Sequence, residues 1–179
     1  QAQVYEKAKL ILKVKCPIGD EYDFYNEDHI LLCYLHYDGN EPVEKYQRMA
    51  QSGATAIALE WVDADGDLIL LRPMSEMTGV LLALKSMQLL TEKAGMLPGA
   101  YIDNLRPCRA MVIGGGKIGC NAINVLAMNG LDITIVDKHP ETLWGRLEQY
   151  TKPDTLVNLK QRASVIHFQE ECPDEALAK

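Results

Sequence analysis

Short apolar runs alternate along this chain with longer segments in which apolar residues recur at helical spacing. The runs at residues 10–15 (Leu10-Ile11-Leu12-Lys13-Val14-Lys15) and 30–35 (Ile30-Leu31-Leu32-Cys33-Tyr34-Leu35) are nearly continuous, the pattern of strands buried on both faces of a parallel sheet. Pro17 stops the first, and the turn residues Tyr37-Asp38-Gly39-Asn40 stop the second. Pro42 near its start and Gly53 past its end delimit a helix over residues 42–52, which feeds a strand at 55–60. After the turn Asp63-Ala64-Asp65-Gly66 a short strand follows at 67–71. From residue 77 to 93, Met77, Val80, Leu81, Leu84, Met87 and Leu90 mark one long helix, and its methionines are expected in a core.

A Pro- and Gly-marked segment at 95–107 separates this helix from a second α/β stretch. There the apolar run Arg109-Ala110-Met111-Val112-Ile113 leads into Gly114-Gly115-Gly116-Lys117-Ile118-Gly119, then a helix to about Asn129, a left-handed stop at Gly130 and a strand Asp132-Ile133-Thr134-Ile135-Val136-Asp137. Strand, glycine turn, helix, strand and terminal acid in that order predict a dinucleotide-binding βαβ unit. Gly114 permits the tight bend, Gly116 lets the backbone approach a pyrophosphate, and Gly119 lets the helix lie close. Lys117 and Ile118 open the helix, where N–H groups without intrahelical partners favour phosphate. Asp137, 18 residues beyond Gly119, suits a carboxylate that accepts both hydroxyls of an adenosine ribose. Its charge favours NAD, while Lys138 and His139 beside it keep NADP as the alternative.

The resulting fold class is α/β, with two doubly wound parallel-sheet (Rossmann-like) domains joined by a long helix. The expected division is a substrate or catalytic domain at 1–76, a connecting helix and linker at 77–106, and a nucleotide domain at 107–179. A third nucleotide-domain strand is expected at 164–169. A complete nucleotide domain of this kind has about six strands, so both domains are expected to be partial and the chain to be a piece of a longer enzyme.

Composition narrows the partners. The 179 residues are 47% hydrophobic, enough for one good core or two small ones. Acidic residues outnumber basic ones 25 to 18, with no Lys/Arg block, which argues against nucleic acid or an anionic membrane as partner. The apolar stretch at 77–90 is broken by Lys85 and too short to span a bilayer. Five cysteines without a CxxC spacing fit a reduced, cytoplasmic setting, and no His/Cys set has metal-ligand spacing, so no metal is expected. A small molecule is the expected partner.

In open α/β sheets ligands bind beyond the carboxyl ends of the strands. Lys15, His36 and Glu60 stand at such ends in the first half, and Pro73-Met74-Ser75 follows the fourth strand. Each alone is readily an ordinary solvated or backbone-bonded side chain; together at one edge they suggest chemistry. A cation can hold a substrate carboxylate, and a histidine can move a proton near neutral pH. Lys13 is the nearest rival to Lys15, one pair further inside the strand. His29 is expected at the opposite edge, and His139 and His167 in the nucleotide half.

The segments Leu12-Lys13-Val14-Lys15-Cys16-Pro17 with Glu21-Tyr22, Tyr34-Leu35-His36, Ala56-Ile57-Ala58-Leu59-Glu60, Leu71-Arg72-Pro73-Met74-Ser75-Glu76 and the glycine turn resemble, in order and spacing, the alanine dehydrogenase and nicotinamide nucleotide transhydrogenase family over roughly residues 1–140. The resemblance implies NAD-linked oxidative deamination of L-alanine or a similar small L-amino acid to its 2-oxo acid and ammonia. It implies Lys15 as a substrate-binding and catalytic lysine, His36 as the acid/base, Met74 in the substrate pocket, Ser75 as a cofactor contact, and a homo-oligomer, a hexamer. The family's other catalytic residues would lie outside this chain. A transhydrogenase-like hydride-transfer domain and a non-catalytic NAD-binding module are the alternatives.

Overall fold

The computed structural model describes residues 2–36, 42–99 and 106–168. The turn expected at 37–40, part of the linker and Gln169 lie outside them. The described chain divides into two units, Gln1–Pro73 and Met74–Lys179, and in each a three-stranded parallel sheet forms the centre.

In the first unit, helix α1 (Ala2–Lys7) precedes strand β1 (Leu10–Lys15). A 3-10 turn at Gly19–Phe24 leads to β2 (Ile30–Tyr34), and α2 (Val43–Ser52) leads to β3 (Thr55–Ala58). The sheet order is β1-β2-β3, all parallel. Pro42 caps α2, and Gly53, at φ 74°, ends it in the left-handed conformation that glycine adopts without steric cost. Leu31 and Cys33 of β2 are fully buried with Ile11, Tyr5, Tyr22, Tyr25, Leu35 and Met49.

Three expectations differ here. The strand expected at 55–60 stops at Ala58, and Glu60 sits in a 3-10 turn, Leu59–Trp61. The strand expected at 67–71 is reduced to β5 (Asp67–Leu68), paired antiparallel with β4 (Asp63–Ala64) across Asp65 and Gly66, both at positive φ as a tight hairpin turn requires. The apolar runs are not buried on both faces: Leu10, Leu12 and Val14 are 63%, 74% and 66% exposed, because the described elements cover one face of the sheet.

Helix α3 (Leu71–Ala94) begins six residues before the start expected from periodicity, since Pro73 lies in its first turn, where an absent N–H breaks no helical hydrogen bond. Its buried face is Gly79, Ala83 and Met87, one residue per turn, while Met77, Leu81 and Leu84 are exposed. The expected stripe of large apolar residues therefore gives way to a narrow stripe of mostly small ones. At Gly79 a Cβ atom would meet the carbonyl oxygen of Ile118 and come within 2.8 Å of Asn121 Cβ, so glycine is what lets this helix pass against the next.

The second sheet runs β6 (Arg109–Ile113), β7 (Asp132–Asp137), β8 (Ser164–His167), parallel and in that order. Helix α4 (Lys117–Met128) connects the first pair; α5 (Pro140–Glu148) and α6 (Pro153–Arg162) connect the second. Gly130, at φ 76°, turns the chain after α4. Ile123, Ile133, Ile135, Leu143 and Leu147 are buried at the centre with Cys120 and Leu126. Both sheets are thus the parallel α/β kind expected, each with its outer strands bonded on one side among the described residues. No described helix is long and apolar enough to cross a membrane.

Candidate active site and cofactor turn

Lys15 ends β1 and pairs in register with Tyr34 of β2, two residues before His36. Both residues therefore stand at the carboxyl edge of the same sheet. The pairing slips between Leu12 and Lys15, which breaks the simple alternation that would put Lys13 and Lys15 on one face. Lys13 is engaged elsewhere. Its Nζ donates to Glu21 Oε2 at 2.5 Å, and the same oxygen accepts the Ile18 N–H at 3.0 Å. Although burial opposes it, the Lys13 contacts and the Ile18 N–H hold the Glu21 carboxyl below its ordinary range. Lys13 thus ties the strand to the turn at residues 19–24, and Lys15 is left exposed at the strand end.

His36 follows β2 with φ 57°, a left-handed conformation uncommon outside glycine. Its backbone is held on both sides. Glu60, only 8% exposed, accepts the N–H of His36 through Oε1 and that of Leu35 through Oε2, the latter at 3.0 Å. The hydroxyl of Tyr46 donates to the His36 carbonyl at 3.2 Å. Glu60 stands at the carboxyl edge as its position suggested, but its carboxylate is spent on the backbone of the histidine turn. His29 lies at the amino end of β2, buried. Its Nδ1 accepts the Asn26 N–H at 3.0 Å, which leaves Nε2 to donate to the Tyr5 carbonyl at 2.8 Å, so it is a satisfied core residue. Met74 and Ser75, expected after a strand, lie in the first turns of α3, both half-buried; the Met74 carbonyl accepts the Thr78 hydroxyl at 2.8 Å.

The glycine turn joins β6 to α4. Gly114 has φ 90°, and its N–H donates to the Val136 carbonyl at 2.7 Å, stitching the turn to β7. A Cβ at Gly116 would meet nothing within 4 Å, so the backbone faces open space where a phosphate could come close. At Gly119 a Cβ would collide with the Gly114 carbonyl and stand 3.7 Å from Val112 Cγ1 of β6, so this glycine lets the start of the helix lie close to the end of the strand. Lys117, Ile118 and Gly119 form the first turn of α4. Cys120 donates its thiol to the Gly115 carbonyl at 3.2 Å, and burial pushes that thiol up to about 11.

Asp137 ends β7, 5% exposed, beneath this turn. Its Oδ2 accepts the Gly115 N–H at 2.5 Å; its Oδ1 accepts the His139 N–H at 2.8 Å and Nη2 of Arg146 at 2.7 Å. Burial alone would raise its pKa, but the Arg146 bond and the two backbone N–H groups outweigh it and hold the carboxyl at about 2. Arg146, on α5, also donates to the carbonyls of Gly115 at 2.7 Å and His139 at 2.9 Å. A cavity of about 320 Å³ opens here, lined by Gly114, Gly115, Gly116, Asp137, His139 and Arg146 among others. Sequence reasoning missed Arg146 and Gly79. An isolated glycine inside a helical pattern could have signalled the second; nothing in the spacing singles out the first.

Comparison with known proteins gives these arrangements a context. The family profile described as alanine dehydrogenase/PNT, N-terminal domain, matches residues 1–78, and that of the C-terminal domain matches residues 79–174. An alanine dehydrogenase of Mycolicibacterium smegmatis is 38% identical over 92% of this chain and 47% of its own length. One of Bacillus subtilis is 35% identical over 79% of this chain and 37% of its own length. The chain thus spans under half the length of these relatives. Among solved structures an L-alanine dehydrogenase superposes with TM-score 0.70 at 26% identity, covering 94% of this chain and 44% of that one. A transhydrogenase from Sinorhizobium meliloti shares the fold, with TM-score 0.60 at 19% identity over 92% of this chain and 46% of that one.

Proposed function

This chain belongs to the alanine dehydrogenase/PNT family, and from that premise we propose that it forms part of an NAD-linked amino-acid dehydrogenase, deaminating L-alanine or a similar small L-amino acid to its 2-oxo acid and ammonia, and running in reverse. The observation that carries the reading is the pair Lys15 and His36 at one carboxyl edge, with the histidine backbone clamped by Glu60.

The cofactor turn fits a dinucleotide: Gly116 has room for a phosphate against bare backbone, the first turn of α4 offers N–H groups, and Asp137 stands ionised beneath. Bound NAD would accept hydride from the substrate's α-carbon. Gly114, Gly116, Lys117, Ile118 and Gly119 would hold its phosphates, Asp137 its adenosine ribose, and Ser75 a further part of it. Met74 is the residue that the family resemblance assigns to the substrate. Asp137 favours NAD over NADP, because a 2′-phosphate would be repelled by its carboxylate.

Lys15 Nζ, positively charged, holds the substrate carboxylate or its developing oxyanion. A ring nitrogen of His36 takes a proton from the water that adds to the substrate imine and returns one as the amine leaves, both within reach of an imidazole near neutral pH. The reading carries a homo-oligomer, a hexamer by resemblance, and a reduced cytoplasmic setting, which the free thiols Cys16, Cys33, Cys108 and Cys120 suit. Steady-state assay of the full-length protein against a panel of amino and 2-oxo acids, with NAD and with NADP, tests it. Reduction of NAD with a small L-amino acid is expected; NAD binding without turnover on any of them would leave a binding module instead.

A further inference from the structure

An ionised carboxylate offers about four acceptor positions, two on each oxygen. In Asp137 three are filled within the protein: Oδ1 by the His139 N–H and by Arg146 Nη2, and Oδ2 by the Gly115 N–H. Among the described residues nothing takes the second position on Oδ2, which remains for a ligand. A ribose that offers two adjacent hydroxyls therefore finds a single acceptor on this side chain.

The residue that sets this arrangement is Arg146. Its fork reaches three oxygens at once: Asp137 Oδ1 at 2.7 Å, the Gly115 carbonyl at 2.7 Å in the glycine turn, and the His139 carbonyl at 2.9 Å just past β7. It thereby fixes the carboxylate's rotation and its distance from the turn with one planar group, a task that a lysine's point charge cannot perform. The grip leaves Nε–H buried without an acceptor among the described residues. Arg146 also lines the cavity that the turn and Asp137 form, with its side chain 31% exposed.

We propose that Arg146 is the positioning residue for the cofactor's adenosine ribose: by occupying Asp137 Oδ1 and gripping the carbonyls of Gly115 and His139, it presents Asp137 Oδ2 to a single ribose hydroxyl. This rests on the reading of the glycine turn as a dinucleotide site.

The test uses calorimetric titration of the full-length protein. With wild type, NAD is compared with its analogues lacking the 2′- or the 3′-hydroxyl of the adenosine ribose. One analogue is expected to bind about tenfold more weakly and the other within about twofold of NAD, since one charge-assisted hydrogen bond is lost in only one case. Equal losses for both, or for neither, overturn the proposal. Arg146→Ala and Arg146→Lys are then expected to weaken NAD by about tenfold or more. Both should leave nicotinamide mononucleotide, which has no adenosine half, unchanged, and should abolish the difference between the two analogues. Equal weakening of both nucleotides would make Arg146 a merely structural residue and overturn the proposal. If Arg146→Ala does not fold, the wild-type analogue series and Arg146→Lys still decide. Absence of any NAD binding by wild type overturns the reading of the turn itself and this inference with it, whereas tight NAD binding without hydroxyl discrimination overturns the inference alone.

Discussion

Glu60 holds the backbone of His36: across the sheet edge its carboxylate accepts the N–H groups of His36 and of the preceding Leu35. Two successive amides converging on one buried carboxylate make a turn whose backbone, at φ 57° for His36, would otherwise be strained. The position of the imidazole thus depends on a residue 24 positions away in sequence.

Replacing Glu60 should therefore act on both stability and turnover. Glu60→Ala leaves two amides without their acceptor, each costing about 1–3 kcal/mol when buried. A lowered melting temperature is expected together with a loss of kcat larger than the change in NAD affinity. Unchanged kcat in a folded Glu60→Ala variant would separate the carboxylate from the histidine's placement.

His36→Ala should lower kcat by about 10²-fold or more, the range for general acid–base catalysis, while NAD affinity stays nearly constant. Lys15→Ala should raise KM for the acid substrate as well as lower kcat. Steady-state kinetics paired with NAD titration distinguish the two patterns. Near wild-type turnover by His36→Ala would make it a structural residue like His29.

At Gly79 the sign of a substitution is decisive. Alanine in an exposed helix interior stabilises by about 1 kcal/mol relative to glycine. Here the added methyl would meet the Ile118 carbonyl and Asn121, so Gly79→Ala should instead destabilise by about 1–3 kcal/mol, as overpacking does. Because Ile118 lies in the first turn of α4, NAD affinity should fall too. Thermal unfolding and titration check both.

Asp137 predicts a pH effect of definite direction. Its folded pKa of about 2 lies below the ordinary 3.8, so the ionised form is the one the fold prefers. The corresponding stability, about 2 kcal/mol, is fully present above pH 3.8 and is lost as pH falls through 2. Asp137→Asn should be less stable than wild type at pH 5–7, and the two should converge toward pH 2. A constant gap down to pH 2, measured by denaturant unfolding, would mean that the charge contributes nothing.

The parallel α/β character and the β6-α4-β7 unit were legible because periodicity and glycine placement are local properties: Gly53 and Gly130 take the left-handed conformations their positions demand. Less legible was everything that depends on a side chain returning from elsewhere. Glu60 reads as a rim carboxylate until its two backbone donors are seen. Arg146 lies 31 residues from the Gly115 carbonyl it grips, and no pattern of spacing distinguishes it from an exposed helix arginine. In α3, large apolar residues suggested the buried face, but the buried row is Gly79, Ala83 and Met87, and at Gly79 the neighbouring helix comes so close that a side chain would collide with it. Packing distance, which periodicity does not encode, chose the face.

Among the described residues β6 has a hydrogen-bonded neighbour on one side only, and Met111 and Ile113 along it are 64% and 75% exposed. Such a margin works as a template: its unpaired amides and carbonyls accept whatever extended segment first aligns with them, and its apolar side chains reward the match. For the nucleotide sheet this makes assembly a competition between a proper next strand and a stray one. The decisive variable during synthesis or refolding is then how soon the intended strand arrives, a matter of kinetics that the strength of the finished core does not govern.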